Sequence, residues 1–129
     1  MKDRCTAIVL AAGQGRRMKS KVKKQFLSIA GKPIVYYALQ CFEKTSFITD
    51  VILVTSEDCV DYCRKKIVEK YGFRKVEKIV VGGKERYDSV YAGLLACGKT
   101  DYVYIHDGIR PFITRDILKR ALDGARETG

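Results

Sequence analysis

Thr6-Ala7-Ile8-Val9-Leu10 is an uninterrupted apolar run that breaks directly into Ala11-Ala12-Gly13-Gln14-Gly15-Arg16-Arg17-Met18. The run predicts a buried strand. Small residues after it let backbone approach an anion, exposed N–H groups donate to its oxygens, and arginines neutralise it. A polyphosphate site needs these features, and Ala11, Ala12, Gly13 and Gly15 are its candidate backbone contacts. Lys24 stands seven residues beyond Arg17, followed by Gln25-Phe26-Leu27. Lys2, Arg4, Arg16, Arg17, Lys19, Lys21, Lys23, Lys24 and Lys32 face Asp3 alone, so +8 of the net charge of +10 lies in the first 32 residues.

Known phosphate loops do not fit this stretch. A P-loop starting at Gly13 requires glycine where Met18 stands, and a dinucleotide fingerprint requires glycine at the same place. Taken alone, the glycine pair reads equally well as a strand-to-loop turn with solvated cations.

Outward from this stretch, strand and helix patterns alternate. Pro33 suits the first position of a helix whose apolar stripe is Ile34, Tyr37, Ala38, Cys41 and Phe42. Val51-Ile52-Leu53-Val54 predicts a strand covered on both faces. Ser56-Glu57-Asp58 opens a helix that Gly72 stops. Val76 to Val81 reads as a strand ended by Gly82-Gly83, and Tyr87 to Cys97 as a helix with Val90, Leu94 and Cys97 on one side. Tyr102 to Ile105 is a further strand. Thr114 caps a final helix carrying Ile117, Leu118, Ala121 and Leu122. This alternation predicts one α/β domain over 1–129, a doubly wound and mostly parallel sheet. Ligands of such sheets sit beyond the carboxyl ends of the strands. The Ala12–Arg17, Gly82–Ser89 and His106–Arg110 segments all follow strands, so they are expected to converge there.

Composition narrows the class. An apolar fraction of 47% with 31% charged residues describes a soluble globular chain. No apolar run reaches a membrane span, and the basic start lacks the hydrophobic stretch of a signal peptide. Cys5, Cys41, Cys59, Cys63 and Cys97 are scattered through apolar segments and read as reduced thiols of a cytoplasmic protein. Cys59 and Cys63 share a helix side, but no second ligand pair supports zinc. A nucleic-acid-binding module would spread its cations among aromatics; here residues 33–129 carry only +2 and the basic cluster has no aromatic before Phe26.

Five blocks occur in order: Leu10-Ala11-Ala12-Gly13-x-Gly15-x-Arg17-Met18, Lys24-Gln25-Phe26-Leu27, Gly31-Lys32-Pro33, Gly82-Gly83-x-Glu85-Arg86-x-Asp88-Ser89-Val90 and His106-Asp107-x-x-Arg110-Pro111-Phe112. Together they resemble the 2-C-methyl-D-erythritol 4-phosphate cytidylyltransferases of the non-mevalonate isoprenoid pathway, from about Ala7 to the end of the chain. The family usually has proline before the catalytic lysine, where this chain has Lys23. Its members also continue well past Gly129, through an arm that swaps between subunits and residues that hold the sugar phosphate.

The resemblance implies the Rossmann-like fold of nucleotide-diphospho-sugar transferases and cytidylyl transfer from CTP, with pyrophosphate released. Arg17 and Lys24 match the family's transition-state-stabilising pair. Gly83, Lys84 and Ser89 are expected to line the nucleotide site, although Ser89 reads equally as a polar residue of a helix start. Mg²⁺ is expected to be gripped mainly by the triphosphate, with no firm protein ligand. Asp107 fits a metal or substrate-hydroxyl contact as well as a helix cap or a partner of Arg110. Arg110 fits a structural pair or a contact to the second substrate, a small sugar-alcohol phosphate. Ribitol 5-phosphate cytidylyltransferases share most of these blocks, and a CTP-binding but inactive fragment is the third reading. The full-length form is expected to be a homodimer. The 129 residues alone are expected to bind CTP weakly, to associate through an uncovered apolar flank, and to turn over little.

Overall fold

The computed structural model describes residues 3–11, 28–29, 31–108 and 113–128. Of the expected site residues, Ala12, Gly13, Gly15, Arg17, Lys24 and Arg110 lie outside these.

Four strands form one parallel sheet: β1 (Cys5–Leu10), β4 (Asp50–Thr55), β5 (Val76–Val81) and β6 (Tyr102–Asp107), in the order β5-β4-β1-β6. The chain works outward from β1 through β4 to β5, then returns to place β6 on the other flank of β1. The order therefore reverses between β1 and β6, which opens a crevice at their carboxyl ends. Every residue of β1 and β4 is buried, as their unbroken apolar runs require.

Helices cover both faces. α3 (Arg86–Cys97) packs on the face carrying Ile8, Leu10, Ile52 and Val54. α1 (Ile34–Lys44) and α4 (Arg115–Thr128) share the opposite core with Ala7, Val9, Val51 and Leu53, together with Cys63 and Ile67. Those last two belong to a helical stretch of three geometries: a 3-10 turn (Glu57–Cys59), α2 (Val60–Tyr62) and a π-helical run (Cys63–Glu69). The stretch closes at Gly72, whose φ of 67° favours a residue without Cβ. A small hairpin of β2 (Ser28–Ile29) and β3 (Lys32–Pro33) precedes α1.

Three expectations are corrected. Pro33 is the N-cap of α1, with ψ of 143°; of the expected stripe Ala38 and Phe42 are buried, but Val35 and Leu39 complete the buried face in place of Ile34, Tyr37 and Cys41. On α3 the buried positions are Ser89, Gly93 and Cys97, while Leu94 is 44% exposed. A Cβ on Gly93 would sit 2.7 Å from Ile8 Cγ2, so the helix approaches the sheet at Gly93 and carries Leu94 outward. On α4, Leu118 and Leu122 are buried but Ile117 is not. The cap of that helix is as expected: Ile117 N–H donates to Thr114 Oγ1 at 3.3 Å.

The amino ends of the strands are tied by a polar cluster. Asp50 is buried and accepts from Arg4 Nη2 at 2.6 Å and from Thr6 Oγ1 at 2.7 Å. All five cysteines are free thiols. Burial pushes the Cys63 thiol up to about 11, despite its contact with Thr55 Oγ1. No helix among the described residues is long and apolar enough to cross a membrane.

Candidate active site

The carboxyl ends of the strands gather what the sequence scatters. Leu10 and Asp107 are register partners across the crevice, so Ala11 and Gly108 leave the sheet side by side. Backbone bonds fix these exits. Ala11 N–H donates to the Val54 carbonyl at 2.7 Å, Gly108 N–H to Leu10 at 2.8 Å, and Gly82 N–H to Thr55 at 2.8 Å. The Ala11 amide thus serves the sheet, and its buried methyl joins the core. Gly108 is tightly enclosed, since a Cβ there would lie 3.0 Å from Val35 Cγ2 and 3.1 Å from the Leu10 carbonyl oxygen.

The Gly82–Ser89 segment turns from β5 into α3 through a capping box. The Glu85 side chain accepts from the Asp88 backbone N–H, while Asp88 Oδ2 accepts from Glu85 N–H at 3.1 Å. This box sits on Gly83, where an added Cβ would lie 2.2 Å from Asp88 Cβ. Gly83 is therefore needed to start α3, whatever else it contacts. Lys84 is exposed beside it. Ser89 is not the cap, because Glu85 and Asp88 fill that role. Its Oγ is buried without a hydrogen-bond partner among the described residues.

Asp107 is held from a direction the sequence did not suggest. Arg86 Nε donates to its Oδ1 at 3.3 Å, across from the first turn of α3. The pair is partly solvated, with the Asp107 side chain 31% exposed. Arg86 stands inside the Glu85-Arg86-x-Asp88-Ser89 block, so the motif contained it, but only the fold reveals its partner. His106 alternates to the other face of β6, where its ring meets Phe42 edge-on at 5.9 Å. The arrangement joins an aspartate held by an arginine, a helix start with a buried hydroxyl, and the exit of β1 into the cationic Ala12–Arg17 sequence. Among the described residues no group of three His, Cys, Asp or Glu side chains converges as a metal site.

Comparison with known proteins gives this geometry its context. The family model IspD, 2-C-methyl-D-erythritol 4-phosphate cytidylyltransferase, matches residues 5–129. A protein of that name from Lachnoclostridium phytofermentans is 46% identical over 125 residues, covering 97% of this chain and 53% of the relative. Another of the same name, from Clostridium botulinum strain Loch Maree, is 48% identical over 125 residues, covering 96% and 54%. The solved structure of a 4-diphosphocytidyl-2C-methyl-D-erythritol synthase from Anaerococcus prevotii superposes with a TM-score of 0.79 at 27% identity, over 96% of this chain and 52% of that one. The chain spans about half the length of the relatives it matches. With the family match running through every block from Cys5 onward, the chain belongs to the 2-C-methyl-D-erythritol 4-phosphate cytidylyltransferase family.

Proposed function

We propose that this chain forms the nucleotide-binding portion of an enzyme that transfers a cytidylyl group from CTP to 2-C-methyl-D-erythritol 4-phosphate. The observation that carries the reading is the β1/β6 crevice. The end of β1, leading into the cationic sequence, lies beside Asp107, and the family match spans both.

On this reading a phosphate oxygen of the acceptor attacks the α-phosphorus of CTP. A new P–O bond forms as the bond to the α–β bridging oxygen breaks, and that electron pair leaves with pyrophosphate. The acceptor is already anionic near neutral pH, so the step needs no strong general base. That agrees with a chain whose one histidine is His106. What the step needs is neutralised charge and in-line placement. Arg17, a planar fork, and Lys24, a mobile point charge, supply the first by their match to the family pattern. Losing one such preorganised charge costs roughly 3–4 kcal/mol of barrier.

Gly83, Lys84 and Ser89 are proposed to line the cytidine side, with the buried Ser89 hydroxyl reserved for a ligand group. Asp107, steadied by Arg86, is proposed to accept from a substrate hydroxyl, and Arg110 to meet the acceptor phosphate. Mg²⁺ is the proposed ion, since it keeps waters and phosphate oxygens as its main ligands. Asp107 would contribute at most one oxygen to an ion held by the triphosphate. When bound, that ion would neutralise phosphate charge. Five free thiols fit a reducing compartment, and we place the enzyme in the cytoplasm.

The test is pyrophosphate release from CTP and Mg²⁺ with methylerythritol 4-phosphate or ribitol 5-phosphate as acceptor. Release with the first acceptor is expected, slow from the 129 residues alone. Release with ribitol 5-phosphate alone would reassign the acceptor. Intact CTP binding without release would limit the chain to nucleotide binding.

A further inference from the structure

The end of the sheet away from the candidate active site holds a second cationic cleft. Its volume is about 470 Å³, and it is lined by Asp3, Cys5, Ser46, Phe47, Thr49, Arg115 and Arg126. Cys5 opens β1 and Thr49 directly precedes β4, so the cleft lies at the amino ends of the strands. The six residues of β1 separate it from Ala11 by roughly 20 Å at strand rise.

Both arginines are set for anion recognition. Arg115 lies 5.7 Å over the Phe47 ring and Arg126 5.9 Å over the Tyr102 ring. A guanidinium stacked on a ring keeps its in-plane N–H donors and loses little further freedom when it grips an oxyanion. Arg126 spends Nε and Nη2 on Asp3 Oδ2, at 3.1 and 2.8 Å. Arg115 has no carboxylate partner among the described residues. Thr49 Oγ1 accepts from Cys5 N–H at 3.1 Å, which leaves its own proton to donate, and Ser46 lines the same cleft. Two fixed cations against Asp3 leave the lining net positive.

We propose that this cleft binds a phosphate group, free or carried as the monoester of a small molecule, through the open fork of Arg115, the remaining edge of Arg126, and the Ser46 and Thr49 hydroxyls. The site is independent of the nucleotide reading. A dianion with at least three acceptor oxygens matches this donor set, and charge-assisted bonds of this kind are the strong ones. The apolar wall of Phe47 and Cys5 gives room for a short organic body on the phosphate.

The experiment is a titration of the 129-residue chain with inorganic phosphate, followed by amide NMR spectra at constant ionic strength. The cleft predicts saturable shifts at Cys5, Ser46, Phe47 and Thr49. Arg115→Ala should weaken this process roughly tenfold, the loss of about one charge-assisted hydrogen bond. Arg115 is exposed at the first position of α4, so the fold should survive. Ser46→Asp, a second exposed variant, should abolish the shifts by adding a negative charge to the wall. Glycerol 3-phosphate serves as the second probe: tighter binding than inorganic phosphate identifies a monoester site, and equal binding a free-anion site. Shifts confined to the Gly82–Ser89 region, or an unchanged titration in both variants, would overturn the proposal without touching the proposed nucleotide site.

Discussion

Gly83→Ala isolates the strongest local constraint at the candidate site, because two effects of opposite sign meet there. Its backbone is not in the left-handed region, so on chain entropy alone alanine would stabilise by about 0.4–1 kcal/mol. Against this, the new Cβ would lie 2.2 Å from Asp88 Cβ and 2.9 Å from Asp88 Cγ. Asp88 Cβ is fixed to the helix backbone, so no rotamer relieves the contact and the start of α3 must move. That displaces both bonds of the Glu85–Asp88 capping box, a loss of about 1 kcal/mol, and adds overpacking strain of about 1–3 kcal/mol. The clash wins, and a net loss of about 2 kcal/mol is expected from urea unfolding. Asp88→Gly removes the atom that is struck, so Gly83→Ala should cost distinctly less in that background. A Gly83→Ala variant within 0.5 kcal/mol of the parent, the usual range for a surface site, would refute this account of the helix start.

Three further outcomes follow from the same geometry. Ser89→Ala removes a buried hydroxyl that has no partner among the described residues, so the unliganded fold should be unchanged or firmer while CTP binding weakens; loss of stability with unaltered binding would assign Ser89 to the fold. Arg4→Ala strips the cation from buried Asp50 and should lower the urea midpoint, by less than the loss of a wholly buried pair because water screens the 39% exposed Arg4; an unaltered midpoint would show the pair to be neutral. Burial raises the Cys63 thiol from 9.0 to about 11, so its contribution is complete below pH 9 and fades as pH climbs through that interval. Urea midpoints measured from pH 8 to 11 should fall, and Cys63→Ala should flatten the fall; identical slopes would refute the assignment.

The sheet was legible because its signal is local. β4 lies where the unbroken run Val51 to Val54 places it, β5 lies where Val76 and the Ile79-Val80-Val81 run place it, and the alternation with helices implies parallel strands. Faces of helices were less legible, since a face is set by what the helix meets. Gly93 carries almost no hydrophobic signal, yet it is where α3 touches Ile8. Leu94 carries a strong signal and faces outward. The β2–β3 hairpin escaped because two-residue strands have no period. At the site, the motifs named Asp107 but not its partner. The Arg86–Asp107 contact spans 21 residues and exists only because β6 returns beside β1 while α3 crosses the sheet. Gly108 likewise follows a quoted motif position and is explained only by the Val35 methyl that packs against it.

Isothermal titration with CTP, ATP, GTP and UTP in the presence of Mg²⁺ tests most directly the claim that the carboxyl edge of this sheet is a cytidine nucleotide site. The account predicts measurable heat with CTP and at least tenfold weaker binding of the two purine nucleotides, about 1.4 kcal/mol of discrimination. Equal affinity for CTP and ATP would contradict it, leaving a phosphate-binding edge without base recognition.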